Sequence, residues 1–311
     1  MPLVSVVMPS YSHESFISEA IEGVLNQSCQ DIELLIIDDA SEDNSREIIK
    51  SYREKDSRIR AIFHNENKGI AKTFNDGIEE ASGKFIAITG SDDVWLKDKL
   101  EKQLEILGEN EDLVVHSDSL IIDAQSNFVE KLPAKKRNAS KKKKSGKIFR
   151  ELLWGNFICG SSMIFKRDNI KDIRFDEQLK YVNDYKFVLD LAIKYEYYFI
   201  PEPLVKYRIH GKNCTLHDGA GWLKDYALMG KYLLDKYENE LPKKVKAKFL
   251  FNIGCDECSR GDSGNGRKYI LKAIMTYPFR IEYFSSLISS FGTDSIMPKS
   301  LTRRILSEHK Q

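Results

Sequence analysis

Residues 87–95 read AITGSDDVW. An apolar run ends in a glycine, a serine and two adjacent aspartates, after which a valine and a tryptophan return to apolar chemistry. Neighbouring carboxylates repel, and each raises the other's pKa unless a cation or separate partners intervene. Asp92 and Asp93 therefore predict a partner elsewhere in the chain, and the run before them predicts the strand end that presents them.

The same arrangement recurs upstream. LVSVVMP (3–9), IELLIID (32–38), IRAIFH (59–64), KFIAITG (84–90) and LVVHS (113–117) are short apolar runs, as buried parallel strands are. Helical patterns separate them. Phe16, Ile17, Ala20, Ile21, Val24 and Leu25 recur at helical spacing, and Asp43–Tyr52, Gly69–Ala81 and Leu96–Leu107 read as three further helices. Strands alternating with helices predict an α/β fold with a mostly parallel central sheet covered on both faces. Beyond Lys135–Lys147, a run with eight Lys/Arg and no acid that reads as a solvated loop, come an apolar segment SSMIFKR (161–167) and a helix from Asp184 to Tyr195. YYFIP and YRIHG (207–211) follow, and after about residue 220 the pattern is helical and amphipathic. The expected organisation is a domain over 1–215, halved at 117, and a helical C-terminal region over 216–311.

Charge gives no argument for a nucleic-acid partner, because 48 Lys+Arg nearly cancel 47 Asp+Glu. The first residues show no basic leader with a cleavage site, and no apolar stretch approaches the roughly 18–20 residues that span a bilayer, so a cytoplasmic, soluble protein is expected. The five cysteines are odd in number and irregularly spaced. Cys255-x-x-Cys258 lacks a second ligand pair for zinc and reads as two ordinary helix thiols.

In open parallel sheets, ligands bind outside the carboxyl ends of the strands. Three of those ends are polar here: PSYS at 9–12, DDAS at 38–41 and SDD at 91–93. Neither G-x-G-x-x-G nor G-x-x-x-x-G-K-[ST] occurs, so a nucleotide's phosphates need a different holder. A divalent cation between carboxylates and a diphosphate supplies one, and it also relieves the Asp92–Asp93 repulsion.

VSVVMPSYS, LLIIDDASEDNS, NKGIAKTFNDGIEEASGKFIAITGSDDVW, NDYKFVLDLA and YRIHG follow one another in the order found in inverting glycosyltransferases of family 2. Over about residues 3–212 the chain resembles that family, and the resemblance implies the GT-A nucleotide-diphospho-sugar fold. It implies residue roles as well. Pro9 and Tyr11 would pack around the base, and Asp39 would accept the uracil N3–H, with Asp38 structural. Asn67, Gly69, Asn75 and Gly77 would line the donor pocket at a helix start; Ser91-Asp92-Asp93 would be a shortened Asp-x-Asp-type element on the nucleotide-sugar, with Asp92 facing the ribose or a metal-bound water. Asp93 and His210 would hold Mn²⁺ or Mg²⁺. Capping by Asp38 and Asp39, and a surface position for His210, are the alternative readings of those residues.

Asp184 is the expected catalytic base. Inverting transfer is a single displacement, so the acceptor hydroxyl must lose a proton as it attacks. A helix start favours the ionised carboxylate, although Asn183 or Asp184 also suits a plain N-cap. The family usually has Glu-Asp where this chain has Asn183-Asp184, and many members have arginine where this chain has Phe74; Lys72 is the substitute contact to the diphosphate. Trp154, Gly155, Asn156, Gly160, Ser161, Ser162 and Asn183 are the expected acceptor side, with a core role as the alternative for Trp154.

The implied activity is metal-dependent transfer of a hexose or N-acetylhexosamine from a UDP-sugar to a saccharide. A polyprenyl-diphosphate-linked acceptor in O-antigen (lipopolysaccharide), capsule or other surface-polysaccharide synthesis would bring the protein to the anionic cytoplasmic face of the inner membrane. Lys135–Lys147 and the helices carrying Tyr277, Phe279, Tyr283, Phe284 and Leu287 are the candidates for that contact. A catalytically silent nucleotide-sugar or carbohydrate-binding subunit is the alternative of another class. A nucleotidyltransferase would need the missing Gly-rich loop.

Overall fold

The computed structural model describes residues 1–129, 145–211, 213 and 219–291. Most of the basic run, residues 135–144, lies outside the described residues. The chain divides into two compact units: Met1–Phe149, Asn156–Glu177 and Asn183–Asn213 form the first, and Arg150–Gly155, Gln178–Val182 and the chain from Cys214 form the second. Two short segments that precede residue 215 thus group with the second unit.

The first unit is built on one eight-stranded sheet. Its strands are β1 (Val4–Ser10), β2 (Ile32–Asp38), β3 (Ile59–Phe63), β4 (Phe85–Ile88), β5 (Val94–Trp95), β6 (Val114–Ile122), β7 (Ile164–Lys166) and β8 (Tyr197–Arg208), in the order β3-β2-β1-β4-β7-β6-β8-β5. β1 pairs in parallel with β2 and β4, β2 with β3, and β6 with β8. β7 runs antiparallel to β4 and β6, and β5 antiparallel to β8. Every residue of β1 and β2 is buried, as expected of strands covered on both faces. Helices α1 (Ile17–Leu25), α2 (Ser45–Lys55), α3 (Ile70–Glu80), α4 (Lys99–Glu109) and α5 (Asn183–Lys194) accompany the sheet. α1 buries Ile17, Ala20, Ile21 and Val24, the stripe its spacing predicts.

β8 departs from the sequence reading. YYFIP reads as a short strand of its own that precedes YRIHG. The structure carries the strand on to Arg208, and β8 itself bulges there: between Ser117 and Ser119 of β6 the register shifts twice as β8 runs from Ile200 through Pro203 to Val205. A proline has no N–H for the ladder, so it settles where the pairing is already irregular.

α3 begins after Gly69, whose φ of +86° few other residues would adopt, and it packs directly on the sheet. A Cβ on Gly77 would come within 2.5 Å of Val7 Cγ1 and 2.6 Å of Ile37 Cδ1. Asn75 is equally committed: its amide donates to the Phe175 carbonyl and accepts the Phe175 N–H, both at 2.9 Å. Phe74, where the resemblance led to an expected arginine, stacks on Phe175 at 4.5 Å, and Phe175 stacks on Phe187 at 4.1 Å.

From Gly219 the second unit is built of helices: α6 (Gly219–Tyr237), α7 (Lys243–Ser259), α8 (Ser263–Thr276) and α9 (Ile281–Ser289). Its core gathers Leu223, Ala247, Phe251, Cys255, Ile270 and Tyr283. α7 is buried at every residue from Phe249 through Asp256, Asn252 and Asp256 included, where an amphipathic helix with an exposed face was expected. No described helix is long and apolar enough to cross a membrane.

Gly77→Leu should destabilise the protein by about 1–3 kcal/mol, because the added side chain overpacks the α3–sheet contact. Chemical denaturation read by circular dichroism would measure it, and a stability equal to wild type would mean that this contact has slack.

Candidate active site

The two adjacent aspartates take different partners. Asp93 is buried; its Oδ2 accepts the Ser161 hydroxyl and its Oδ1 accepts the Arg208 N–H at 2.9 Å. Burial, with the Asp92 charge adding to it, pushes its pKa up to about 8. Burial also works to raise Asp92, but the hydrogen bond from His210 and the charges of His13 and His210 outweigh it and hold that carboxyl below its usual value. Repulsion is resolved by inequality: Asp92 keeps the negative charge and Asp93 holds its proton more tightly. Gly90 leaves room for the Asp92 carboxylate, since a Cβ there would lie 2.5 Å from Asp92 Oδ1.

Asp92 faces histidines. His210 Nε2 lies 3.1 Å from Asp92 Oδ2, and ligating atoms of His13, Asp92 and His210 all fall within 4.8 Å of one another. His13 Nδ1 is 2.8 Å from Ser91 Oγ, and the two imidazoles meet edge to face at 5.4 Å. Asn213 accepts the His210 N–H at 2.5 Å and brings its amide within 3.4 Å of Asp92. Two imidazole nitrogens and a carboxylate oxygen at this spacing form a donor set that fits a divalent transition ion. The sequence reading paired His210 with Asp93; the structure pairs it with Asp92. It did not foresee His13, whose one signal is its position two residues after Tyr11 at the end of β1.

Arg208 holds this edge together. Its guanidinium donates to the Asp92 carbonyl at 2.8 Å, to Glu19 at 2.6 Å, to the Asp123 carbonyl at 3.1 Å and to Ser126 Oγ at 2.8 Å. Burying that cation is tolerable because its donors are so widely used. Gly160 and Ser161 lie in a short 3₁₀ turn; the Gly90 N–H donates to Ser161 Oγ at 3.0 Å and Trp95 Nε1 to the Ser161 carbonyl at 2.9 Å.

Along the neighbouring strand end, Asp39 and Asp38 divide their work. Asp39 accepts the Lys68 and Gly69 N–H groups at 2.8 and 2.9 Å and sits 2.8 Å from His64 Nδ1. Asp38 accepts from the Ser41 N–H at 3.0 Å, from the Ser41 hydroxyl and from Arg46 at 2.7 Å, which makes it structural. His64 was not anticipated. Its Nε2 lies 3.0 Å from Asp76 Oδ2, off the axis of a hydrogen bond, and Lys72 pairs with the same carboxylate at 2.7 Å. Pro9 is buried in β1, Tyr11 beyond it is half exposed, and the exposed Asn67 donates to the Asp39 carbonyl at 3.3 Å.

Asp184 sits in the first turn of α5 beside the buried Asn183, and it accepts from Asn156 Nδ2 at 3.3 Å. Desolvation raises its pKa against the opposing pull of backbone N–H groups and Asn156. The helix start therefore does not win outright. The side chain still reaches solvent, which limits the rise. Trp154 belongs to the second unit, where Lys244 Nζ lies 5.5 Å from its ring centre.

A family model described as glycosyl transferase family 2 matches residues 5–174, more than half the chain. The protein belongs to glycosyltransferase family 2. It is accordingly a transferase. An uncharacterised glycosyltransferase of Haemophilus influenzae is 36% identical over 190 residues, covering 61% of this chain and 72% of that one. The putative teichuronic acid biosynthesis glycosyltransferase TuaG of Bacillus subtilis is 44% identical over 108 residues, 35% of this chain and 43% of its own. Among solved structures, S. aureus TarS 1–349 in complex with UDP-GlcNAc aligns over 100% of this chain and 90% of its own, with TM-score 0.64 and 18% identity. The mannosyltransferase PcManGT of Pyrobaculum calidifontis, solved with GDP-Man and Mn²⁺, aligns over 99% of this chain and 85% of its own, with TM-score 0.60 and 14% identity. These neighbours establish the expected GT-A fold.

Excess Mn²⁺ should raise the melting temperature and EDTA should reverse the rise; a hundredfold excess over Kd corresponds to about 2.7 kcal/mol. His13→Ala and His210→Ala should each abolish the response in differential scanning fluorimetry. An undiminished response in both variants would move the cation elsewhere.

Proposed function

We propose that this family 2 enzyme is an inverting, metal-dependent transferase that moves a hexose or N-acetylhexosamine from a UDP-sugar to a hydroxyl of a saccharide acceptor. The acceptor fitting this reading is a polyprenyl-diphosphate-linked glycan in bacterial surface-polysaccharide synthesis, met at the cytoplasmic face of the inner membrane. The observation carrying the proposal is the His13–Asp92–His210 cluster at the carboxyl edge of the sheet in a family 2 chain. Support also comes from the neighbours: TarS was solved with UDP-GlcNAc, PcManGT with GDP-Man and Mn²⁺, and TuaG's name refers to teichuronic acid.

His13, Asp92 and His210 would hold the cation, Mn²⁺ or Mg²⁺; the two imidazoles favour Mn²⁺ over the oxygen-loving Mg²⁺. Bound there, it would neutralise the diphosphate charge that grows as the glycosidic bond breaks. Asp93 would remain a support, its oxygens committed to Ser161 and to the backbone of Arg208. Asp39, with three donors already fixed on its two oxygens, would offer its remaining acceptor position to the uracil N3–H. Tyr11 would cover the base. Asp184 would take the proton from the acceptor hydroxyl as its oxygen attacks the anomeric carbon, while UDP departs from the opposite face.

Asp184→Asn should lower the transfer rate by roughly 10²–10⁴-fold, with UDP affinity unchanged by calorimetry. A base must be ionised to act. Because the Asp184 pKa is raised, the acid limb of kcat/KM should lie above the usual carboxylate range, with activity lost as pH falls through it. Turnover by Asp184→Asn at the wild-type rate would sink the assignment; no turnover by wild type with any nucleotide sugar would leave a binding subunit.

A further inference from the structure

The second unit carries an apolar surface that its own core does not use. α9 turns Tyr283 and Ser286 inward, with Leu287 packed against the core, and presents Ile281, Phe284 and Ile288 outward at three- and four-residue spacing. α8 buries Ile270 and Ala273 and exposes Leu271 and Met275. Arg267, near the start of α8, donates to the Ser290 carbonyl at 2.8 Å, and its guanidinium lies 4.6 Å from the Phe291 ring centre, so the two helices form an antiparallel hairpin. Met275, Phe279, Ile281, Ile288 and Phe291 are 71–83% exposed. Single exposed apolar residues need no explanation; five such large ones within seventeen residues of one hairpin do.

We infer that this hairpin is a docking face for an anionic phospholipid surface, lying in the headgroup region without spanning it. Charge selects the partner. Between Ser263 and Phe291 the chain has Arg267, Lys268, Lys272 and Arg280 against the single acid Glu282. Lys268 and Lys272 are exposed on the same helix as Leu271 and Met275. A second copy of the chain meeting this face about a twofold axis would bring like charges together, whereas an anionic bilayer attracts each of them. Apolar side chains with a basic border are the composition of interfacial helices. The assignment refines the sequence expectation: Phe279 and Phe284 face outward, whereas Tyr277, Tyr283 and Leu287 serve the core. It goes beyond the proposed function, since it concerns a face of the second unit and not the donor site.

Vesicle flotation of the full-length chain tests it, using phosphatidylcholine with and without phosphatidylglycerol. Wild type should float with the mixed vesicles and much less with phosphatidylcholine alone. Phe279→Ser/Ile281→Ser/Ile288→Ser should lower partitioning by about tenfold or more, and Lys268→Gln and Lys272→Gln by roughly fivefold each. Because these side chains are exposed, all variants should melt as wild type does and release UDP from a donor at the wild-type rate with a soluble acceptor. That last readout separates this inference from the functional proposal. Equal flotation of the triple variant overturns it. So does absence of wild-type flotation, including the case where only a chain ended at Phe291 binds, which would make residues 292–311 the occupant. Loss of self-association in the triple variant without any vesicle binding would overturn it in favour of a second copy.

Discussion

The structure depends on keeping two adjacent carboxylates at the edge of a sheet without letting them share an environment. Asp93 is sealed between a serine hydroxyl and a backbone N–H, and Asp92 is left to two histidines. Everything nearby serves that separation. Gly90 lacks the atom that would strike Asp92, Ser161 ties the turn to the strand before it, and Arg208 carries its own backbone N–H to one aspartate and its guanidinium to the carbonyl of the other. Two like charges at neighbouring positions thereby become one fixed anion and one buried support.

Much of this was legible in the sequence, for a physical reason. Burial on both faces leaves a near-continuous apolar strand, so β1 and β2 announce themselves, and their polar ends point to the edge where chemistry can occur. The helical stripe of α1 is equally plain. The family order of motifs then supplied what periodicity cannot, a histidine at 210 as partner to the aspartate pair.

What was illegible has a common cause: it rests on pairings between distant positions or on the backbone itself. His13 is a single polar residue in a loop and gains meaning only beside His210. The donors to Asp39 at residues 68 and 69 are main-chain N–H groups, which no residue type reveals. Phe74 looks like a missing arginine until Phe175 is stacked on it. Ser161 reads as part of an acceptor pocket, yet its hydroxyl is spent on Asp93. The prolines of β8 look like a strand break, yet the strand runs through them as a bulge against a regular β6.

The position of β8 has a consequence for biogenesis. Among the described residues it is the last strand to be made, and it lies between β6 and β5, strands synthesised long before it. Until the chain past Arg208 has been made, neither of those strands has its β8 partner, and the carbonyl of Asp92 lacks its guanidinium. Nascent chains stalled within the family-matched residues 5–174 would hold a half-zipped sheet, the sort of intermediate that chaperones exist to shield.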